Sequence, residues 1–478
     1  MVRSLPHRFL LFVPILFAIA ASPVQTTAEP AKASQTVPQA PETRITAEQA
    51  KELFRSVDEI LKFASQDTGL ALRHEVKRAL VNREQVGSYV KSRLETDEDA
   101  KRLQRSEQVL KKFGLLPRNF DLKTFLVALL QEQVAGYYDP KTKTVNLLDW
   151  IEANLQKPVL AHELTHALQD QDFDLEKWEK NGPTVEWKKS ADQREPDEDE
   201  QKAARQAVIE GQGMLVLIDY ILAPTGRTAT EVPEIADAMK AGVMEGSPLF
   251  NTAPLYLKNL LLFPYRYGLD FERELLASGG QQAAFAGVLR NPPVNTRQIM
   301  QPDAYISGER LPRLPLADAK RVLGTEYEQL DVGGVGEFDV LAMLEQFDDA
   351  DAAKSLAPEW RGGYYYAGHS KSSASGSLAL LYVSRWTTPE QAMLFARAYR
   401  KSLKQKYKTI TLAQMPQAAT APSSAAMPGA TATTATRWNT EEGPVFVEHR
   451  QNLVIVMESF DEASAAKLRA AVLAADAQ

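Results

Sequence analysis

The chain has 478 residues, enough for two or three domains with separate cores, and its 44% hydrophobic and 24% charged residues are ordinary globular values. A net charge of −7, with no basic run, excludes a general nucleic-acid binder. There is no cysteine, so disulfides, thiolate metal sites and cysteine nucleophiles are excluded together, and any metal must use nitrogen and oxygen ligands.

Residues 1–21 read as an export signal. Arg3, His7 and Arg8 precede the apolar run Phe9–Ala21, and Ala18-Ile19-Ala20 offers small residues for cleavage. Thirteen apolar residues fall short of the about 20 that span a bilayer, and no later segment reads as long and apolar enough to cross one. The absence of a cysteine after the run excludes a lipoprotein. The expected location is therefore periplasmic or extracellular. Residues 22–43, rich in Pro, Ala, Thr and Gln, read as a flexible linker.

A helix follows, with Thr46 and Gln49 in capping-box spacing and Leu53, Val57, Ile60, Leu61 and Ala64 as its buried stripe. Helical patterns continue through Leu72–Glu95, Ala100–Phe113 and Leu122–Val134, with Pro117 in the break at Gly114–Asn119. Gly136–Leu148 reads as a β-hairpin, in which Thr144–Leu148 would offer an edge for an extended substrate. A helix covers Pro158–Gln171. The charged stretch Trp187–Gln201 reads as a solvated loop or helix start, and a long helix spans Asp197–Leu222. Helical patterns resume toward Leu262. From about Leu330 the texture changes: strands at Tyr364–Ala367 and Leu378–Arg385, a helix at Pro389–Tyr407, strands at Val445–His449 and Asn452–Glu458, and a helix at Glu462–Ala475. This is ββα repeated, with residues 415–436 as a disordered insert of Ala, Thr, Ser and Pro. Gly333-Gly334-Val335-Gly336 lacks the Lys-Ser/Thr of a phosphate loop and reads as an interdomain turn.

The chemistry concentrates in His162-Glu163-Leu164-Thr165-His166. On a helix, residues i and i+4 share one face about 6 Å apart along the axis. Two imidazoles there can hold one zinc ion, and the glutamate between can reach the metal-bound water. With six histidines in the chain, the string arises by chance in roughly one chain in a hundred or fewer. Leu160, Leu164, Ala167 and Leu168 form the apolar stripe of this helix, and the two histidines point almost opposite, as if into a cleft. A structural histidine would lie on the stripe.

A catalytic zinc site needs a third ligand. In the helix after it, Ala207, Glu210, Met214, Leu217 and Ile221 share a face, which puts Glu210 on an apolar stripe where a charge needs a partner. Gly211 and Gly213 weaken that helix and imply close approach of another backbone or side chain. A metal beside Glu210 accounts for both; the plainer reading is a pair with a buried Arg or Lys. The rival ligand is Asp172, six residues past His166; in the metzincin arrangement a glycine three residues past the second histidine turns the chain back to such a ligand, and here Gln169, poorly suited to that turn, stands there. Asp170, Asp172 and Asp174 read instead as helix-ending residues that orient the histidines from behind.

These residues resemble the gluzincin group of zinc metallopeptidases, and more narrowly a poorly characterised exported bacterial family. The strings that carry the resemblance are Glu132–Asp139, Ala161–Gln171, Ile209-Glu210-Gly211, Phe263–Phe271, Asn291–Ile299 and Pro302, within residues 45–310; the C-terminal part matches only in outline, around Trp360 and Trp386. The resemblance implies a histidine before Pro302, where this chain has Gln301.

The expectation is an α+β protein: a largely helical zincin-like metallopeptidase domain with a small β-sheet at 44–329, and a C-terminal ββα-ββα domain at 330–478. His162, His166 and Glu210 would bind Zn2+, Glu163 would be the catalytic base, and protein or peptide would be the substrate. Tyr265, Tyr267, Tyr305 and Arg266 are the available oxyanion donors, unranked by spacing. From another class comes a non-catalytic zinc-containing envelope protein whose C-terminal domain binds a partner. Retention of Glu163 favours the enzyme, since a structural zinc needs no base.

Overall fold

A computed structural model describes residues 44–477 except 95–96, 181–190, 243–246, 313, 315–316, 373–375 and 414–433. The signal, the linker and most of the 415–436 insert lie outside the described residues. The protein is mixed α+β, with a three-stranded and a seven-stranded sheet.

Helix α1 (Ala47–Thr68) forms as its sequence dictates. Thr46 accepts from the amide of Gln49, the Gln49 side chain accepts from the amide of Thr46, and the whole apolar stripe is buried. The pattern at 72–95 then divides. Lys77–Val81 is strand β1, and only Arg83–Leu94 is helical (α2). Local periodicity loses here to parallel pairing of β1 with a strand nearly seventy residues on. Helices α3 (Asp97–Phe113) and α4 (Leu122–Gln133) follow, then β2 (Tyr137–Asp139), β3 (Thr144–Leu148) and α5 (Ala153–Phe173). The strand order is β1-β3-β2, so Thr144–Leu148 is the central strand and offers no edge; the edges are β1 and β2.

Helix α6 (Ala191–Leu222) starts earlier than its apolar pattern, and packs α5 on one side and α7 (Leu255–Gln282) on another. Contrary to expectation, the run Glu198–Thr225, most of α6 with the turn after it, is long and apolar enough to cross a membrane, but 78% of the apolar window is buried inside the protein. Its hydrophobic character serves a central helix covered on several faces. On α7, Glu272 is wholly buried with no hydrogen-bond partner for either oxygen, and burial raises its carboxyl well above the usual range. The folded state therefore holds a proton that the unfolded chain gives up near pH 4, so stability falls as pH rises through the window above it, by up to about 1.4 kcal/mol per unit. Glu272→Met should raise the melting temperature at pH 7 and flatten its decline between pH 5 and 7. Equal pH slopes for the two proteins would show that Glu272 does not hold that proton.

The larger sheet is antiparallel throughout, in the order β4-β5-β6-β10-β9-β8-β7: β4 (Tyr327–Gly334), β5 (Trp360–Ser370), β6 (Leu378–Trp386), β7 (Ile410–Ala413), β8 (Thr434–Thr440), β9 (Gly443–Arg450) and β10 (Leu453–Glu458). Helices α8 (Glu337–Phe347), α9 (Pro389–Lys406) and α10 (Glu462–Asp476) lie between or after the strands. Strand β8 corrects the boundary of the insert, because Thr434–Thr436 pair with β9. Alternate residues of the sheet enter different cores: Tyr365, Tyr382, Val447 and Val456 join the large cluster that begins at Leu53, while Tyr364, Val383 and Ile455 pack with Leu468 and Val472 of α10. Phe113 of α3 meets Tyr365 and Tyr382 edge-on. One continuous apolar core thus spans residues on both sides of position 330.

Polar groups reinforce this seam. The glycine-rich turn is a strand–loop–helix connection between β4 and α8, and the carboxylate of Glu200 on α6 occupies the space beside Gly336 that a side chain there would fill. Glu200 Oε2 accepts from the amide and hydroxyl of Thr296, at 2.9 and 2.8 Å. Gln301 donates to Glu337 Oε1 at 2.8 Å, beside the Arg297–Glu337 pair, and so belongs to this seam.

Candidate metal centre

The middle of α5, from Val159 to Asp170, is buried on every face. His162 and His166 therefore face α6 rather than an open cleft, which corrects the sequence expectation. Their rings stand 4.6 Å apart and nearly perpendicular, at 88°. Glu210 Oε2 lies 3.1 Å from His162 Nε2 and 3.6 Å from His166 Nε2. One ligand atom from each of the three residues falls within 4.8 Å of the others. Two ligand atoms about 2.0–2.2 Å from a tetrahedral ion sit roughly 3.4 Å apart, so the two measured separations bracket that spacing. Glu210 Oε1 is buried with no hydrogen-bond partner, an arrangement costly for a carboxylate unless a cation sits beside it. The donor set could hold a metal ion.

Close packing makes this geometry possible. A methyl group on Gly213 would lie 2.7 Å from Cε1 and Nδ1 of His162, so only glycine leaves room for the ring. A methyl group on Gly211 would collide with the backbone carbonyl of Gly268 on α7, so α6 and α7 touch backbone to backbone beside Glu210. The two close approaches implied by the glycines are both present.

The electrostatics of the cluster suit a cation. Burial depresses His166, but its hydrogen bond to Glu210 and the charges of Glu210 and Glu163 more than offset this and lift it to about 9. Burial pushes Glu210 up, yet the two histidines pull it below the usual range. A metal ion binding here would take the place of that proton. Glu163 behaves differently: burial wins over the histidines and raises its carboxyl, and its Oε2 accepts from the backbone amide of Tyr138 on β2 at 2.8 Å.

The structure sorts the remaining candidates. Asp172 is bound to Arg73, at 2.6 Å, and to the amide of Ala71, so it is not the third ligand. Asp170 takes Tyr138 and Lys143, and Asp174 takes Lys177; none of the three aspartates orients a histidine. That part falls to Gln169, whose Oε1 sits 2.8 Å from His166 Nδ1. Among the oxyanion candidates, Tyr265 lies at the centre, its ring 6.3 Å from that of His162 and its hydroxyl bonded to Glu210. Tyr305 donates to the carbonyl of Asn291 and Arg266 to that of Lys240, while Tyr267 packs on Phe263. His74 lies in the segment before β1, where Gln171 brackets its amide and carbonyl. His369 and His449 are on β5 and β9. The roles of Gln169, Gln212 and the Tyr138 amide come from the structure alone.

Comparison with known proteins touches the other half of the chain. Residues 325–469 match the family model of a Domain of unknown function (DUF8575), which begins two residues before β4, ends within α10 and so covers the seven-stranded sheet. No curated protein and no solved structure matches the chain.

Proposed function

We propose that the chain is an exported zinc-dependent peptidase of the gluzincin kind, with a zincin-like helical part and a C-terminal part built on two ββα units. The observation that carries this reading is the convergence of His162, His166 and Glu210 within 4.8 Å, beside Glu163. His162 and His166 offer imidazole nitrogens and Glu210 a carboxylate oxygen, a ligand set suited to zinc. When bound, zinc makes water acidic and polarises a carbonyl oxygen. Glu163, steadied by the Tyr138 amide, takes the proton of the attacking water and delivers it to the leaving amine. The raised affinity of Glu163 for a proton suits that transfer. Tyr265 keeps its hydroxyl proton, because burial and the neighbouring carboxylates hold it well above 10, and donates it as a hydrogen bond to the developing oxyanion.

A second reading has one observation in its favour. His162, Glu163, His166 and Glu210 are only 5, 3, 2 and 1% exposed, so the site is closed to a peptide in this conformation. A zinc-bearing envelope protein that works through partner binding by its C-terminal part needs no such access. Glu163→Gln separates the two. It should retain zinc and lose at least about 100-fold in cleavage of an unfolded protein substrate, the low end of the contribution of a general base. Equal cleavage by the variant and the native protein would sink the peptidase.

A further inference from the structure

His166 and His162 are held in different ways. The unpartnered nitrogen of His162, Nδ1, is buried, whereas Nδ1 of His166 is the end of a chain of side-chain amides. The chain starts on α7's continuation. After Gly280, with φ 69°, the backbone leaves regular helix, and Ala283–Gly287 forms a π turn with wider hydrogen-bond spacing. The carbonyls of Ala284 and Phe285 accept from Gln212 Nε2, at 2.7 and 3.3 Å. Gln212 is on α6, two residues past Glu210, and is wholly buried.

Carbonyl groups only accept, so the amide nitrogen of Gln212 must face them and its Oε1 must face the other way. There it accepts from Gln169 Nε2 at 2.8 Å, and Gln169 Nε2 also meets the carbonyl of Ile209 at 3.2 Å. Gln169, wholly buried too, therefore turns its Oε1 to His166 and accepts from Nδ1–H. Each amide has one allowed orientation, set by the backbone at the far end. The outcome is that Nδ1 of His166 carries hydrogen and Nε2 is the nitrogen directed at Glu210.

We propose that Gln169 and Gln212 are positioning residues for the metal, a two-amide relay that anchors the ligating nitrogen of His166 on the π turn at Ala283–Gly287. The inference rests on the metal-site reading above. It assigns a use to the π turn that follows α7: its Ala284 and Phe285 carbonyls anchor the relay, Phe285 through a second lone pair, since it also accepts from the amide of Val288. It also ties α5, α6 and the end of α7 to one imidazole, so that the ligand is oriented by three elements.

The test is a double-mutant cycle read as affinity for Zn2+ and Co2+ in chelator competition, with Gln169→Leu, Gln212→Leu and the double variant. Outer partners of metal-bound histidines are worth about 10–100-fold in affinity, so Gln169→Leu should weaken binding by that range. Gln212→Leu should weaken it as well. Because Gln212 acts through Gln169, the double variant should bind no worse than Gln169→Leu alone. Independent packing effects would multiply instead, and multiplied losses, or single variants within about twofold of the native protein, would overturn the relay. Near-ultraviolet circular dichroism checks the fold; should Gln169→Leu not fold, Gln169→Asn, which keeps the amide but withdraws it from Nδ1, takes its place in the cycle. A native protein that binds neither ion removes the metal reading itself and the relay with it, which distinguishes the two failures.

Discussion

Replacing Glu210 with alanine is expected to weaken zinc binding by more than about 100-fold, beyond the range for loss of an outer partner. Glu210 Oε2 is the atom nearest both histidine nitrogens, and Oε1 has no other use. The metal-capable group among the described residues is His162, His166 and Glu210. Asp172→Ala is the control, since that carboxylate is committed to Arg73, and its zinc content should match the native protein. Stoichiometry unchanged in Glu210→Ala and lost in Asp172→Ala would reverse the ligand assignment. Elemental analysis of the purified proteins reads both.

The glycines beside Glu210 give a paired prediction with opposite weights. Gly211→Ala should destabilise the fold by about 3 kcal/mol or more, at the upper end for overpacking, because the added methyl meets the Gly268 backbone and neither helix can yield locally. The roughly 1 kcal/mol that alanine gains over glycine in helix propensity is too small to change the sign. At Gly213 the obstacle is the His162 ring, which can rotate away. Gly213→Ala should therefore cost less stability and more metal affinity. Thermal unfolding and zinc titration of both variants measure the contrast. Native-like zinc affinity in Gly213→Ala would show that the His162 ring does not need the space.

Much of the helical frame was legible because its periodicity is strong and its ends are chemically marked. Thr46 with Gln49 and Thr388 with Gln391 both cap helices as their spacing implies, the latter pair at 3.5 Å. What failed was decided by partners remote in sequence. Lys77–Val81 becomes a strand only because β3 lies beside it, and β3 is central only because β1 arrives on its other side. Strand β7, with four residues, is too short to show a pattern, and β8 begins inside the Ala- and Thr-rich stretch that carries no apolar alternation. At the metal centre, His162, His166 and Glu210 were readable because a carboxylate on an apolar stripe is an anomaly. The aspartates after His166 misled, because proximity in sequence says nothing about which charge a carboxylate meets. Each found a cation or a tyrosine elsewhere. The glutamine relay was invisible, since an amide announces its role only through the groups at its two ends.

The continuous core has a consequence for the order of events when the chain is made. The helices that carry the candidate ligands leave the ribosome well before the strands that finish their packing, and Phe113 must wait for Tyr365 and Tyr382, more than 250 residues later. Until then an apolar face stays uncovered, so the first half of the polypeptide is not expected to fold as an autonomous unit. A chain cut short near residue 324 should accumulate in aggregates even though every candidate ligand is present. Packing around the candidate metal centre is thereby tied to synthesis of β5 and β6.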